Sequence, residues 1–209
     1  MRDRQYTSSK DEKRSLEISK NCISGKVYNA RWVLERAIRD HAMQIDKERV
    51  KVASLQLKTF LQYIQNAESK EQLRGYEGEA ASIYFSVFDE LILQQKKDFF
   101  FHGRSKRPPM DNVNAMLSFV YTLLTNQITS ALESVGLDPC VGYLHTERPG
   151  RASLALDLIE EFRAVYADRF VLSLINKKIV NKKNFTKKEN GAVLMDDDSK
   201  KKVADGMAK

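Results

Sequence analysis

The stretch that decides the fold is "DNVNAMLSFVYTLLTNQITSALESVG", residues 111–136. Asp111 suits the N-cap position of a helix, and Gly136 suits the residue just beyond a helix C-terminus. Between them the apolar residues recur every three or four positions, which is typical of an amphipathic helix. These residues are Val113, Met116, Leu117, Val120, Leu124, Ile128, Leu132 and Val135. The stretch therefore predicts one long helix with a defined start and end.

The rest of the chain is also predicted to be mostly helical. A charged coil should precede a first helix that begins after Ser9, which has capping-box spacing with Glu12 inside the helix. Gly25 could kink that helix. The turn Asn190-Gly191 within "FTKKENGAVLM" predicts a small hairpin. The predicted helices cover residues 10–42, 47–65, 70–95, 111–136, 153–163 and 167–177. We therefore expect an all-α fold with a small β-hairpin near the C-terminus.

Composition points to an ordinary globular protein. The 209 residues are 42% hydrophobic and 30% charged, which suits one domain with a sizeable core. Cys22 and Cys140 lie far apart without metal-binding spacing, which fits a reducing compartment. The sequence has no apolar run of membrane-spanning length and begins without a secretion signal. We expect a cytoplasmic protein with no membrane partner.

The positive charge is unevenly distributed. The net charge is +7, and the tail 177–209 holds ten lysines against five acidic residues, so +5 lies there. A basic balance favours an anionic partner such as nucleic acid, although a solvated tail accounts for most of this excess. The basic loop 96–109 also contains Phe99, Phe100 and Phe101. This loop is predicted to bind DNA and to be mobile without it, unless the three aromatic rings complete the core.

Glu77 is the unusual residue of the predicted helix 70–95. It falls within the apolar stripe of that helix, where a carboxylate is costly unless it is paired or binds a metal ion. Gly75 and Gly78 stand close on either side and leave room for another backbone or a substrate. Glu77 is therefore either a metal ligand or one partner of a buried ion pair with an arginine.

His145 precedes a predicted helix that carries Asp157, Glu160 and Glu161. Asp157 and Glu160 are one turn apart, and the segment "RPGR" gives the chain room to bring the imidazole back to that face. Two carboxylates and one histidine suit Mg²⁺ or Mn²⁺, whereas Zn²⁺ is disfavoured because neither a cysteine cluster nor an HExxH pattern is present. The alternative is that all of these are solvated surface residues.

Four segments, in order, carry a resemblance to a known family. They are "LRGYEGEAASIYF", "RSKRPPMDNVNAMLSFVYTLL", "VGLDPCVGYLHTERPGRASLALDLIEEFR" and "DRFVLSLIN", which cover most of residues 73–176. This pattern resembles the helical catalytic domain of the CRISPR-associated adaptation endonucleases, the integrases that insert new spacers into CRISPR arrays. The segments "RQY" and "SGKVYNARWVLER" are most similar to the branch found in type I-C systems.

The resemblance implies a metal-dependent DNA endonuclease and integrase that uses a 3′-OH to attack a phosphodiester. Its metal ligands would be Glu77, His145 and Glu160, with Mg²⁺ or Mn²⁺ as the cofactor. Asp157 would be a possible assistant, because branches of the family differ between Asp and Glu at the last ligand. The candidates for DNA phosphate contacts are Arg74, Arg104, Lys106, Arg107 and Arg151.

The resemblance also implies partners and a domain organisation. The DNA partners would be the spacer precursor and the CRISPR repeat, and the intact protein would form a homodimer bound to a second small CRISPR-associated adaptation subunit. Residues 1–209 would form the helical catalytic domain, with the basic tail from about 177, as a fragment without the family's N-terminal β domain and last C-terminal segment. Two alternatives stay open: a non-catalytic helical DNA-binding or scaffold fragment, and a metal-dependent hydrolase of small phosphate esters in an enclosed pocket.

Overall fold

The computed structural model describes residues 1–145 and 148–207, and within these ranges the fold is all-α except for one hairpin. This confirms the predicted fold class. The helices are α1 (Arg2–Lys10), α2 (Glu12–His41), α3 (Lys47–Gln65), α4 (Lys70–Ser86), α5 (Asn112–Ser134), α6 (Ser153–Phe162), α7 (Arg169–Asn176) and α8 (Asp197–Met207). The strands are β1 (Phe185–Lys187) and β2 (Val193–Met195).

Helix α2 lies at the centre of the fold. It packs against α3, α4 and α6, and α5 packs against α6. Ile23 and Leu34 of α2 and Met116 and Leu117 of α5 are fully buried. Each such side chain stabilises the fold by about 1.5–3 kcal/mol relative to an exposed one. This packing places one face of α2 next to both α4 and α6, which carry the candidate site residues.

The predicted N-terminal coil is wrong. Residues 2–10 form α1, and Asp11 rather than Ser9 caps α2 by accepting a hydrogen bond from the backbone N–H of Arg14. Gln5 anchors α1 because its side-chain amide donates to the carbonyl of Asp138 at 2.7 Å. Such a distant contact has no counterpart in local sequence patterns.

Gly25 does not break α2, which runs through it without interruption. A Cβ atom at this position would lie 3.0 Å from Cγ of Glu161. The glycine therefore allows α6 to approach α2 closely.

Helix α4 ends earlier than predicted. It stops at Ser86 and is followed by a 3₁₀ turn, Phe88–Leu91, instead of continuing to Gln95. Phe88 and Leu91 are buried, so the apolar spacing continues even though the α-helix does not. Gln95 has φ of 58°, a left-handed conformation that no helix interior contains.

The helices α6 and α7 form one continuous helical rod. The turn that joins them, Arg163–Asp168, is π-helical, where the sequence predicted a gap between two separate helices. A π turn widens the helix by one residue and is frequent at functional sites. Here Ala164, Ala167 and Asp168 are buried while Arg163 stays close to Glu160.

The C-terminal region contains the predicted hairpin. Phe185 pairs with Met195 in an antiparallel register, and Gly191 in the turn has φ of 82°, which glycine adopts without strain. The final helix α8 buries Val203 and Met207. No helix within the described ranges combines the length and the apolar character needed to cross a bilayer.

Candidate active site

Glu77 of α4 and Glu160 of α6 meet at the side chain of Lys26 on α2. The ammonium nitrogen Nζ of Lys26 contacts Oε1 of Glu77 directly and lies 2.6 Å from Oε2 of Glu160. The Lys26 side chain is only 12% exposed. Two carboxylates that are far apart in sequence therefore share one cation.

Glu77 is not as deeply buried as its place in the apolar stripe predicted. Its side chain is 28% exposed, whereas that of Glu160 is 5% exposed. The neighbouring Gly75 and Gly78 are exposed, because this part of α4 forms a rim rather than core. The alternative of an ion pair is found, but the partner of Glu77 is Lys26 rather than an arginine.

Glu160 is ionised although it is buried. Burial alone would raise the pKa of its carboxyl, but the charges of Lys26 and Arg163 outweigh burial and hold that pKa below its usual value. Its Oε1 lies 3.1 Å from the Arg163 guanidinium. Its Oε2 is in ion-pair contact with Lys26 but lacks a well-aligned hydrogen bond. This oxygen therefore keeps a lone pair that another cation could use.

Asp157 holds the loop that carries His145. The carboxylate is 1% exposed, and Oδ2 accepts hydrogen bonds from the backbone N–H groups of Tyr143 (2.6 Å) and Leu144 (3.0 Å). Oδ1 lies 2.9 Å from the backbone nitrogen of His145 and 2.7 Å from its ring atom Nδ1. Each carboxylate oxygen of Asp157 therefore accepts two hydrogen bonds.

This arrangement fixes the tautomer of His145. A carboxylate that already accepts three N–H donors can only accept from Nδ1, so Nδ1 carries the proton and donates. In the neutral ring the other nitrogen, Nε2, then keeps its lone pair, which is the usual state of a metal-binding imidazole with a carboxylate behind it. Asp157 consequently orients the ring of His145, and its own oxygens are already occupied by hydrogen bonds.

Further contacts fasten the same loop. Arg74 donates to the carbonyl of Leu144 at 2.7 Å, and Ser15 donates to the carbonyl of Tyr143 at 3.1 Å. Gly142 lies so close to α6 that a Cβ would come within 2.7 Å of Cβ of Ser153. Arg74, predicted as a phosphate contact, thus has a positioning role in the loop.

The three predicted ligands are only partly assembled. Glu77 and Glu160 come together at Lys26, whereas His145 is held by Asp157 through Nδ1. With Lys26 between the glutamates, no three His, Cys, Asp or Glu side chains form a ready metal cluster within residues 1–145 and 148–207. The ligand set of Glu77, His145 and Glu160 therefore stays a prediction.

A cavity of about 540 Å³ opens beside Glu77 and Lys26. Tyr121 on its inner wall donates to Asp168 at 2.5 Å. Burial raises the pKa of the Asp168 carboxyl to about 6, although the hydrogen bond from Tyr121 and the nearby arginines act in the opposite direction. The cationic side chains that line the cavity are Lys26, Arg104, Lys106 and Arg163. The carboxylates of Glu77 and Glu160, the acidic edge of the site, thus lie next to these four cationic side chains, its basic wall.

The aromatic residues of the basic loop 96–109 mostly belong to the core. Phe99 and Phe101 are buried, which supports the alternative that they complete the packing beside α4. Phe100 is 42% exposed and lies against the ring of His102. Stacking on DNA bases is therefore open to Phe100 but not to its two neighbours as they are placed.

The basic residues of the loop differ from one another. Arg104 is held by Asn114 (2.7 Å) and Ser118 (3.1 Å), so most of its guanidinium is committed to the fold. Lys106 and Arg107 are both exposed, but only Lys106 lines the cavity. Arg151, before α6, is partly exposed. Their contacts with DNA stay predictions.

Sequence reasoning missed Lys26 and Arg163. Arg163 follows Glu160 by three residues, a spacing that places both on one helix face and could have indicated the pair. Lys26 stands beside the buried residues Ile23 and Val27 of α2, so a cation bordering an apolar stripe was the available signal. Its two partners lie on other helices and had no local signature.

Comparison with known proteins shows the family of the chain. Residues 1–209 match the family model described as CRISPR associated protein Cas1. The chain belongs to the Cas1 family. This confirms the resemblance to CRISPR adaptation endonucleases, while the type I-C branch stays a prediction.

Individual Cas1 relatives are similar over nearly the whole chain. The chain is 50% identical over 201 residues to "CRISPR-associated endonuclease Cas1 1" of Chlorobaculum tepidum, covering 96% of the chain and 59% of that protein. It is 45% identical over 203 residues to "CRISPR-associated endonuclease Cas1" of Leptospira interrogans, covering 97% of the chain and 80% of that protein. The chain therefore spans about three fifths of one relative and four fifths of the other.

Two solved structures share the fold. A casposase bound to integration product is 28% identical with a TM-score of 0.83, and the match covers 98% of this chain and 57% of that one. A Cas1 protein of Thermotoga maritima is 26% identical with a TM-score of 0.80, and the match covers 94% and 59% of the two chains. The helical arrangement around α2 is thus shared with other Cas1-like proteins.

Proposed function

We propose that the chain is the helical catalytic part of a metal-dependent DNA endonuclease and integrase that acts in CRISPR adaptation. The observation that carries the proposal is the meeting of Glu77 and Glu160 at one cation, beside a histidine whose Nε2 is left free by Asp157. Membership of the Cas1 family, whose curated relatives are named endonucleases, supports the same reaction class.

The donor set fits a hard divalent cation. Carboxylate oxygens with one imidazole suit Mg²⁺ or Mn²⁺, and Glu160 Oε2 is a buried oxygen that lacks an aligned hydrogen bond. Glu77, Glu160 and Nε2 of His145 would hold the ion. When bound, such an ion acts as a Lewis acid toward a phosphate oxygen and lowers the pKa of an attacking hydroxyl.

The protein's own residues position the rest of the reaction. Arg163 balances the charge of Glu160, and Lys106 and Arg104 form a basic wall next to the acidic edge, where a phosphodiester would be attracted. Attack of water on phosphorus, with release of a 3′-oxygen or 5′-oxygen, gives cleavage. Attack of a DNA 3′-OH forms a new phosphodiester as the old P–O bond breaks, which joins a spacer to the array.

The partners follow from the same proposal. The substrates would be the spacer precursor and the CRISPR repeat, and the working assembly would be a homodimer with a second small adaptation subunit. The support is the family to which the chain belongs. Exposed Arg107 and half-exposed Arg151 are the residues best placed to extend phosphate contacts beyond the cavity.

Cleavage by matched variants of α4 tests the proposal. Glu77→Gln should lower Mg²⁺- or Mn²⁺-dependent cleavage of a supercoiled plasmid by more than about 100-fold, since even outer-shell changes at metal sites cost about 10–100-fold. Glu79→Gln, two residues away and exposed, should cleave within about twofold of the wild type because its carboxylate contributes to no site contact.

Two results would redirect the interpretation. DNA binding by the wild type without metal-dependent cleavage would favour the non-catalytic scaffold alternative. The cavity of about 540 Å³ keeps the hydrolase of small phosphate esters as a second candidate, because it is large enough for such a ligand. Hydrolysis of a small aryl phosphodiester at a rate above that of DNA cleavage, abolished by Glu77→Gln, would favour that hydrolase.

A further inference from the structure

Lys26 occupies the position between the two glutamates of the candidate site. Its ammonium contacts Glu77 and lies 2.6 Å from Glu160, and the side chain is 12% exposed. Together with Arg163 at the other oxygen of Glu160, it balances two carboxylates with two cations. Without Lys26, the two carboxylates would repel one another where one of them is buried.

We propose that Lys26 is a built-in counter-ion, which keeps Glu77 and Glu160 together until a divalent cation displaces its ammonium. This inference rests on the proposed function. Mg²⁺ binds carboxylate oxygens at about 2.0–2.1 Å and accepts little deviation from octahedral geometry. The same two oxygens that now contact Nζ of Lys26 would have to close around the ion, so the ammonium and the divalent cation exclude each other.

The adjoining cavity provides a place for the displaced side chain. Lys26 lines this cavity of about 540 Å³ together with Arg104, Lys106 and Arg163. A lysine has a flexible four-carbon stem, so the ammonium can turn away from the glutamates without movement of α2. There it adds a positive charge to the wall that faces the phosphodiester, and metal binding thereby prepares the site for its anionic substrate.

Metal affinity measured on matched lysine variants tests this exchange. Lys26→Met keeps most of the stem length and removes the charge. Lys20→Met is the control, since Lys20 lies on the same helix and donates to the backbone carbonyl of Gln65 at the surface. Mn²⁺ binding is followed by isothermal titration calorimetry, and the melting temperature is measured without added metal.

We expect Lys26→Met to bind Mn²⁺ at least about tenfold more tightly than the wild type, within the usual range of coupling between two sites. Its metal-free melting temperature should fall, because the carboxylates lose their shared cation. Lys20→Met should match the wild type in both measurements. Equal or weaker Mn²⁺ binding by Lys26→Met, with normal binding by the wild type, overturns the exchange and leaves Lys26 as a structural ion-pair partner.

The wild-type protein offers a second measurement that does not depend on the folding of a variant. Reductive methylation of lysine amines, read by mass spectrometry, should become faster at Lys26 when Mg²⁺ is added and stay constant at Lys20. An unchanged rate at Lys26 in the presence of bound Mg²⁺ contradicts the inference. If neither the wild type nor Lys26→Met binds Mn²⁺, the metal site of the proposed function fails as well.

Discussion

Replacing Asp157 with asparagine perturbs the loop of His145 with almost no change of shape. The carboxylate is 1% exposed and accepts four hydrogen bonds, two at each oxygen. Asparagine has one oxygen that can accept two of these bonds. Its NH₂ group would face the remaining two N–H donors, which would lose their acceptor inside the protein.

The expected loss follows from these bonds. A hydrogen bond to a charged group contributes about 1.5–3 kcal/mol, so two lost bonds correspond to about 3–6 kcal/mol. Because the loop can relax locally, we expect the free energy of unfolding to fall by about 3–5 kcal/mol, in the lower part of that range. That is a large part of the stability of about 5–15 kcal/mol that is typical of a domain.

Urea denaturation of Asp157→Asn measures this loss as a shift of the midpoint at constant slope. Asp138→Asn is the matched control, because the side-chain carboxylate of Asp138 accepts one hydrogen bond, from the backbone N–H of Cys140, at a partly exposed position. The control should lose less than about 1 kcal/mol. A similar small loss for Asp157→Asn would refute the assignment of Asp157 as the residue that holds the loop and the tautomer of His145.

Two further predictions concern the ionisable side chains of Asp168 and Arg104. Burial raises the pKa of Asp168 from 3.8 to about 6, so the folded protein favours the neutral carboxyl. The neutral carboxyl therefore stabilises the fold below pH 4, and this stabilisation is lost as the pH rises through 6. Relative to Asp168→Asn, the wild type should therefore lose about 3 kcal/mol between pH 3.5 and pH 7.5 in urea titrations, and a constant difference would contradict the reasoning. Arg104→Met should destabilise the fold by about 2–4 kcal/mol, because Arg104 is bonded to Asn114 and Ser118. Arg107→Met, at an exposed position, should leave stability unchanged and lower the salt slope of DNA binding by about 1. If Arg104→Met also left stability unchanged, Arg104 would not be structural.

Local chemistry determined much of what could be predicted from this sequence. Helix α5 starts after Asp111, whose side chain accepts from Asn114, and ends before Gly136 at φ of 78°, as the caps and the apolar spacing predict. The hairpin around Gly191 follows from turn preferences in the same way. These features depend on residues within a few positions of each other, so the sequence contains their full cause.

The family motifs predict Glu77, His145 and Glu160 as metal ligands, but the sequence did not determine how these side chains are held. The shared ion pair with Lys26 joins α2, α4 and α6, and the amphipathic pattern of a helix says which face is buried but not which helix lies opposite. The role of Asp157 depends on a loop that folds back on α6. Helix packing alone sets these distances, because contacts between residues distant in sequence form only when the whole core assembles.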